Sequence, residues 1–345
     1  MGHNRWHSDI DPILHVRAGT PVTVLAPLGT GDQIGWSSTH ADLLSLNFDD
    51  DLLAGPILVE GAEPGDLLAI EIIEVATDDF GFTGVFPGFG FLADVFTEPY
   101  LVKWELGDGG ARSEALPGVR VPGAPFPGTI GVAPSPRLLR ELRDREAELD
   151  SRTGLDLSAF SSPPVPARAL DGLGILPPRE IGGNLDVRHL AAGSRLFFRV
   201  HTPGALVSLG DIHFAQGEGE VCGSAIETGA EVTLRFDIVK SPSWLPRFPA
   251  FESASEPPRR YVATSGISVS DDGTNELMDV GLAARRALLE MIDYLTTTYA
   301  LDREAAYVLV SVAGELRISQ IVDLPNALVS LLVPIDVFEN YRSPA

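Results

Sequence analysis

Apolar and polar residues alternate one for one through "EVTLRFDIV" (231–239), where Val232, Leu234, Phe236 and Ile238 interleave with Glu231, Thr233, Arg235 and Asp237. A period of two places the four apolar side chains on one face and predicts a half-buried strand. "SRLFFRV" (194–200) alternates in the same way, and "GDLLAIEIIEV" (65–75) is more continuously apolar, as for a more deeply buried strand. The chain's 35 glycines and 27 prolines punctuate these runs, a pattern of short strands joined by tight turns. It points to a sandwich or a barrel and away from a doubly wound sheet.

Two regions change period. Ser135 followed by Pro136 reads as an N-cap with proline at the first helical position, opening the charge-rich helix "PRLLRELRDREAELD". Later, Leu288, Ile292, Leu295 and Tyr299 form one stripe of a helix from about 275 to 298. Asp302 is placed to cap a second helix through about Val312, and β-like runs return in "RISQIVDLPNALVSLLVPIDVF". Between these regions "SSPPVPARALDGLGILPPRE" (161–180) is too rich in Leu, Ile and Val for a linker and reads as a packed loop. The expected organisation is a β-rich part (1–134), a connecting helix and packed loop (135–180), a second β part (181–250) and an α+β part (251–345).

Composition narrows the function. A formal charge of −23, from 48 acidic and 25 basic residues, argues against nucleic acid or an anionic membrane as partner. No apolar run is long enough to span a bilayer and the N-terminus lacks a signal-peptide core, so the expected location is the cytoplasm. Cys222 is the single cysteine, which excludes an internal disulfide framework and a multi-thiolate zinc site.

Chemistry concentrates in "GDIHFAQGEGEVCGSAIET" (210–228). On a strand Asp211 and His213 share a face, so a carboxylate and an imidazole converge as a zinc-type ion requires. Glycines around Gln216, Glu218 and Glu220 let the backbone turn sharply and aim several side chains at one point. The same features also describe a solvated strand and a charged hairpin tip. Glu227 follows the apolar pair Ala225 and Ile226, where a carboxylate re-entering a core needs a partner. A second polar cluster, "PPREIGGNLD" (177–186), sets Asn184 and Asp186 beyond a Gly-Gly turn; its members could hold an amide-sized substrate or satisfy one another. Asp323 and Asn326 in "SQIVDLPN" read as turn chemistry. With only Lys103 and Lys240 in the chain, lysine-dependent amidase mechanisms are poorly supported, and no G-x-S-x-G elbow occurs.

Taken together, "PPREIGGNLD", "GALVSLGDIHFAQGEGEVCGSAIE" and "AGELRISQIVDLPN", supported by "GPILVEGAEPGDLLAIEI", "PGFGFLAD" and "PFPGTIGVAP", resemble the acetamidase/formamidase family over nearly the whole chain. The resemblance implies hydrolysis of small aliphatic amides to carboxylate and ammonia by a homo-oligomer. It also implies a β-rich α+β fold, with sandwich-like and barrel-like β parts and an α+β C-terminal portion. Asp211, His213, Gln216, Glu220, Glu227, Asn184 and Asp186 match its motifs, and Gln33 matches its Gly-Gln-Ile element. Glu218 stands where an Asp is usual, Ile181 replaces a polar residue before the Gly-Gly-Asn turn, and "APLGTGDQI" lacks an acidic residue ahead of the glutamine.

The expectation is therefore a metal-assisted amidohydrolase. Asp211, His213 and Glu227 hold a divalent ion, zinc first and calcium as the alternative. Glu220 carries the catalytic proton, and Asn184, Gln216, Gln33 and Asp186 meet the substrate. Two other readings stand beside it: a non-catalytic β-sandwich binding protein that keeps a metal-stabilised polar turn, and an amidase with Cys222 as nucleophile.

Overall fold

The computed structural model describes residues 2–46, 52–153, 164–175, 177–253, 260–320 and 327–341. Asp323 and Asn326 lie outside them. The predicted strands are present as Ala230–Val239, Arg195–Arg199 and Leu67–Thr77, which are neighbours in one five-stranded sheet with Ala250–Glu252 and Val22–Ala26. Val232, Leu234 and Phe236 are fully buried, as the alternation requires, while Ile238 near the strand end is only partly covered. Their apolar face packs against Leu53, Ile57, Phe126, Ile130, Val207 and Leu209 of a second, eleven-stranded sheet, giving a sandwich with one shared core. Segments 1–134 and 181–250 both supply strands to these two sheets.

Among the described residues the larger sheet does not close. Its path runs from Gly2–His3 to Val121–Pro122, two-residue strands that do not pair with each other, so the expected barrel-like part is an open sheet. A third sheet, of Tyr261–Ile267, Leu328–Pro334 and Glu315–Gln320, carries helices α2 (Val280–Tyr299) and α3 (Arg303–Ala313) and makes the C-terminal part α+β. Helix α1 spans Pro136–Thr153, and the Ser135 hydroxyl accepts from Leu138 N as the predicted cap. Helix α2 begins later than the apolar stripe suggested. Met278 sits at φ 55° and Asp279 caps the helix by accepting from Leu282 N, so 275–278 form the approach to it. Asp302 occupies the N-cap of α3 without a side-chain capping bond. Among the described residues no helix is long and apolar enough to cross a membrane.

The N-terminal strand is tied to the strand that later carries the site. His3 Nδ1 donates to Arg5 O and Nε2 accepts from the Ser208 hydroxyl, both at 2.7 Å. Burial lowers the His3 pKa from 6.5 to about 4, with the Arg5 carbonyl opposing. The unfolded chain therefore takes up a proton that the folded chain refuses, and stability drains as pH falls from 6.5 towards 4. Between about pH 7 and about pH 5 the loss expected from His3 is about 2 kcal/mol. Denaturant titrations should show it, and His3→Gln should flatten that slope; an unchanged slope in the variant would refute the assignment.

A candidate carboxylate and imidazole centre

Four neighbouring strands of the large sheet build the centre. Val207–His213 pairs with Glu227–Thr228 on one side, placing His213 opposite Glu227, and with Phe126–Val132 on the other, placing His213 opposite Phe126. Phe126–Val132 pairs in turn with Gly182–Asn184, where Thr129 faces Asn184. Asp211 and His213 come together as their spacing predicted, the register sets Glu227 beside His213, and Asn184 joins the centre through hydrogen bonds to Thr129 and Asp186.

His213 is the hub. Its Nε2 lies 3.3 Å from Asp211 Oδ1 and 3.2 Å from Glu227 Oε2. On the other edge of the ring, Nδ1 is 2.7 Å from Gln216 Oε1 and 3.9 Å from Asp186 Oδ1. Gln216 Nε2 donates to the Asp186 backbone carbonyl at 2.7 Å, and a carbonyl can only accept. The oxygen end of the amide therefore faces Nδ1, which must carry a hydrogen. In the neutral imidazole this leaves the Nε2 lone pair directed at Asp211 and Glu227. Ligand atoms of Asp211, His213 and Glu227 all lie within 4.8 Å of one another, as do those of Asp186, His213 and Glu220. The centre thus has acidic and imidazole groups able to hold a metal ion.

Its electrostatics point the same way. Burial pushes His213 down, but the Glu227 and Asp211 carboxylates overcome this and hold it well above 6.5. Burial pushes Asp211 up, yet the His213 charge and hydrogen bonds from His213, Glu227 and Thr129 leave it below its ordinary value. Glu227 is raised by burial, with His213 opposing and Asp211 adding. Burial and then the neighbouring Asp186 raise Glu220 well above the usual carboxylate range. Asp186 rises to about 7, chiefly through burial, and lies beside Glu220 so that a proton on either carboxyl is shared. Four carboxyl groups gather around one imidazole in a buried setting. A divalent cation fits such an acidic cluster, and it also fits Asp186 Oδ1, which is buried without a hydrogen-bond partner.

The backbone that aims these groups is strained. Asp186, Asp211 and Glu220 have φ of 48°, 54° and 42°, a region that costs an L-residue about 1–2 kcal/mol. Asn184 accepts from the Thr129 hydroxyl at 2.7 Å and donates to Asp186 Oδ2 at 2.8 Å, so it orients Asp186. Gln33 lies in the Gly31–Gln33 turn and donates to Thr30 O; the next residue, Ile34, packs on Phe82, the register partner of Glu227. Ile181 is fully buried in the sandwich core.

Cys222 is unsuited to a nucleophile. It is fully buried, donates towards Ser224 O and Gly84 O, and burial pushes its thiol up to about 12, so thiolate is scarce near neutral pH. The sequence reading missed Thr129 and Gly128. A Cβ on Gly128 would stand 2.6 Å from His213 Cε1 and 2.8 Å from Asp186 Oδ1. The only sequence signal for either was their place inside "PFPGTIGVAP".

An open strand sandwich with a buried carboxylate and imidazole centre on one sheet, completed by an α+β unit, defines the class of protein. Residues 1–340 match the model of the Acetamidase/Formamidase family, and the chain belongs to that family. It is 35% identical over 364 residues to a formamidase from Methylophilus methylotrophus, covering 98% of this chain and 89% of that one. To an acetamidase from Mycolicibacterium smegmatis it is 34% identical over 330 residues, covering 85% and 81% respectively. Among solved structures, a gamma lactamase from Delftia acidovorans superposes with a TM-score of 0.91 at 31% identity, covering 99% of this chain and 90% of that one. An acetamidase from Bacillus halodurans superposes at 0.58 with 25% identity, covering 99% and 98%.

Proposed function

We propose that the protein hydrolyses small amides to a carboxylate and ammonia, with a divalent ion at Asp211, His213 and Glu227. The observation that carries this is the fixed ring of His213: Gln216 takes Nδ1–H, and Nε2 lies 3.3 and 3.2 Å from the carboxylates of Asp211 and Glu227. One imidazole nitrogen with two carboxylates is a donor set that suits zinc, whereas calcium would draw on more oxygens. When bound, the ion supplies polarisation of the amide carbonyl and of the attacking water.

The chain's own groups handle the protons. Glu220, when the proton of the pair rests on Asp186, takes a proton from the attacking water and returns it to the departing nitrogen, which leaves as ammonia only once protonated. Asp186 shares that proton and offers Oδ1 as an acceptor for an amide N–H. Gln216 serves His213, Asn184 orients Asp186, and Gln33 reaches the substrate from its turn. We place the protein in the cytoplasm as a homo-oligomer, acting on neither nucleic acid nor membrane, consistent with its charge of −23.

A cyclic amide is the second reading, favoured by the TM-score of 0.91 to the gamma lactamase against 0.58 to the acetamidase. Both are tested by ammonia release from formamide, acetamide and propionamide and by ring opening of a γ-lactam, before and after chelation. Chelation should cut turnover at least about tenfold, and zinc should restore it. Turnover indifferent to a chelator that has stripped the protein of metal would remove the ion from the mechanism. Absence of any hydrolysis would favour a binding protein that keeps the polar centre.

A further inference from the structure

Three segments meet at one buried carboxylate outside the centre, and two of them carry its proton-handling groups. Glu315, the first residue of strand Glu315–Gln320, is fully buried. Its Oε1 accepts from the Tyr261 hydroxyl at 2.9 Å and lies 3.2 Å from Arg188 Nη1, while its Oε2 accepts from Arg317 Nη2. Arg188 stands two residues beyond Asp186. Arg317 Nε in turn lies 3.6 Å from Glu218 Oε2, and Glu218 is midway between Gln216 and Glu220.

The backbone follows the same route. Glu218 bridges to Glu315 in parallel, with Glu218 N donating to Gly314 O at 2.8 Å and Leu316 N to Glu218 O at 3.3 Å. Gly217 N donates to Ser311 O, and a Cβ on Gly217 would stand 2.3 Å from Gly314 O, so the loop lies directly on the end of α3.

We infer that Glu315 is a positioning residue that sets the distance between Asp186 and Glu220. Through Arg188 it holds the segment that carries Asp186, and through Arg317 and Glu218 it holds the loop that carries Glu220. The C-terminal α+β unit is thereby part of the catalytic apparatus, although none of its described side chains belongs to either ion-holding group. A buried carboxylate with three donors gives directional, charge-assisted bonds, and its worth lies in fixing geometry more than in net stability. The kinetic consequence rests on the amide-hydrolase reading; the mechanical one rests on these contacts alone.

The test is Glu315→Gln, which keeps the shape and an acceptor for Tyr261 while removing the charge that holds both arginines. On formamide, kcat should fall about tenfold or more with KM changed by less than about threefold, because misplacement harms the chemical step more than binding. By mass-resolved hydrogen exchange, amides in 184–190 and 216–220 should open about tenfold faster, with the sandwich strands unchanged. Unchanged exchange in both segments overturns the inference. So does faster exchange throughout the molecule with kcat lowered only by the unfolded fraction. If the wild type hydrolyses no amide, the proposed function fails while the exchange result still decides the positioning role. Should Glu315→Gln not fold, Arg188→Met carries the same test from the other end of the pair.

Discussion

Glu220→Gln should lower kcat on a small amide by about 10²- to 10⁴-fold, the range that a positioned acid or base contributes. The replacement is isosteric and keeps a hydrogen-bonding end, but it can neither accept a proton from water nor deliver one to nitrogen. Two readouts separate this role from a ligand role. Metal content, measured per chain, should stay at the wild-type level, because Glu220 groups with Asp186, whereas Asp211 and Glu227 are the carboxylates beside His213 Nε2. Folding stability near neutral pH should hold or rise slightly, since burial and Asp186 already disfavour a charged Glu220. Activity within about threefold of wild type would remove Glu220 from proton transfer and leave Asp186 as the candidate. Loss of metal together with activity would instead make Glu220 a ligand.

How much of this was legible in the residues differs from element to element. The strict alternation at 231–239 gave a strand with the correct buried face, because period two is a property of the backbone and needs no partner. Asp211 and His213 were legible as a pair for the same reason. Glu227 was legible as a carboxylate re-entering a core and in need of a partner, but which partner comes from a register, His213 opposite Glu227, that no local pattern encodes. The Asp186 and Glu220 pair was invisible as a pair. Both residues sit at positive φ, outside regular strands and far apart in sequence, so neither periodicity nor spacing reports their distance. Gln216 was read as a substrate contact because an amide can recognise an amide. The structure engages both ends of its side chain, one on His213 and one on the Asp186 carbonyl. The barrel-like expectation came from turn-rich strands, and closure depends on how sheet edges end, which composition does not record.

Gly128→Ala should lower kcat/KM about 100-fold or more. No left-handed backbone is required at this position, so the effect is steric. The added carbon would lie 2.6 Å from His213 Cε1, 2.9 Å from His213 Nε2 and 2.8 Å from Asp186 Oδ1, each inside contact distance. Neither neighbour has an easy retreat. The His213 ring is packed edge-on against Phe126 at 5.2 Å and pinned through Nδ1 by Gln216, while Asp186 N donates to the Gly128 carbonyl itself. The imidazole must therefore shift by several tenths of an ångström, which moves Nε2 relative to Asp211 and Glu227 and should weaken metal affinity together with turnover. Overpacking of this kind costs about 1–3 kcal/mol of stability, too little to unfold a chain with two large cores. Gly107→Ala is the control, since an added Cβ there meets nothing within 4 Å. Paired measurements of kcat/KM and zinc affinity on the two variants decide the matter. Wild-type values for Gly128→Ala would show that the spacing between His213 and Asp186 is not what the reaction depends on, and would shift attention to the Asp211 and Glu227 side of the ring.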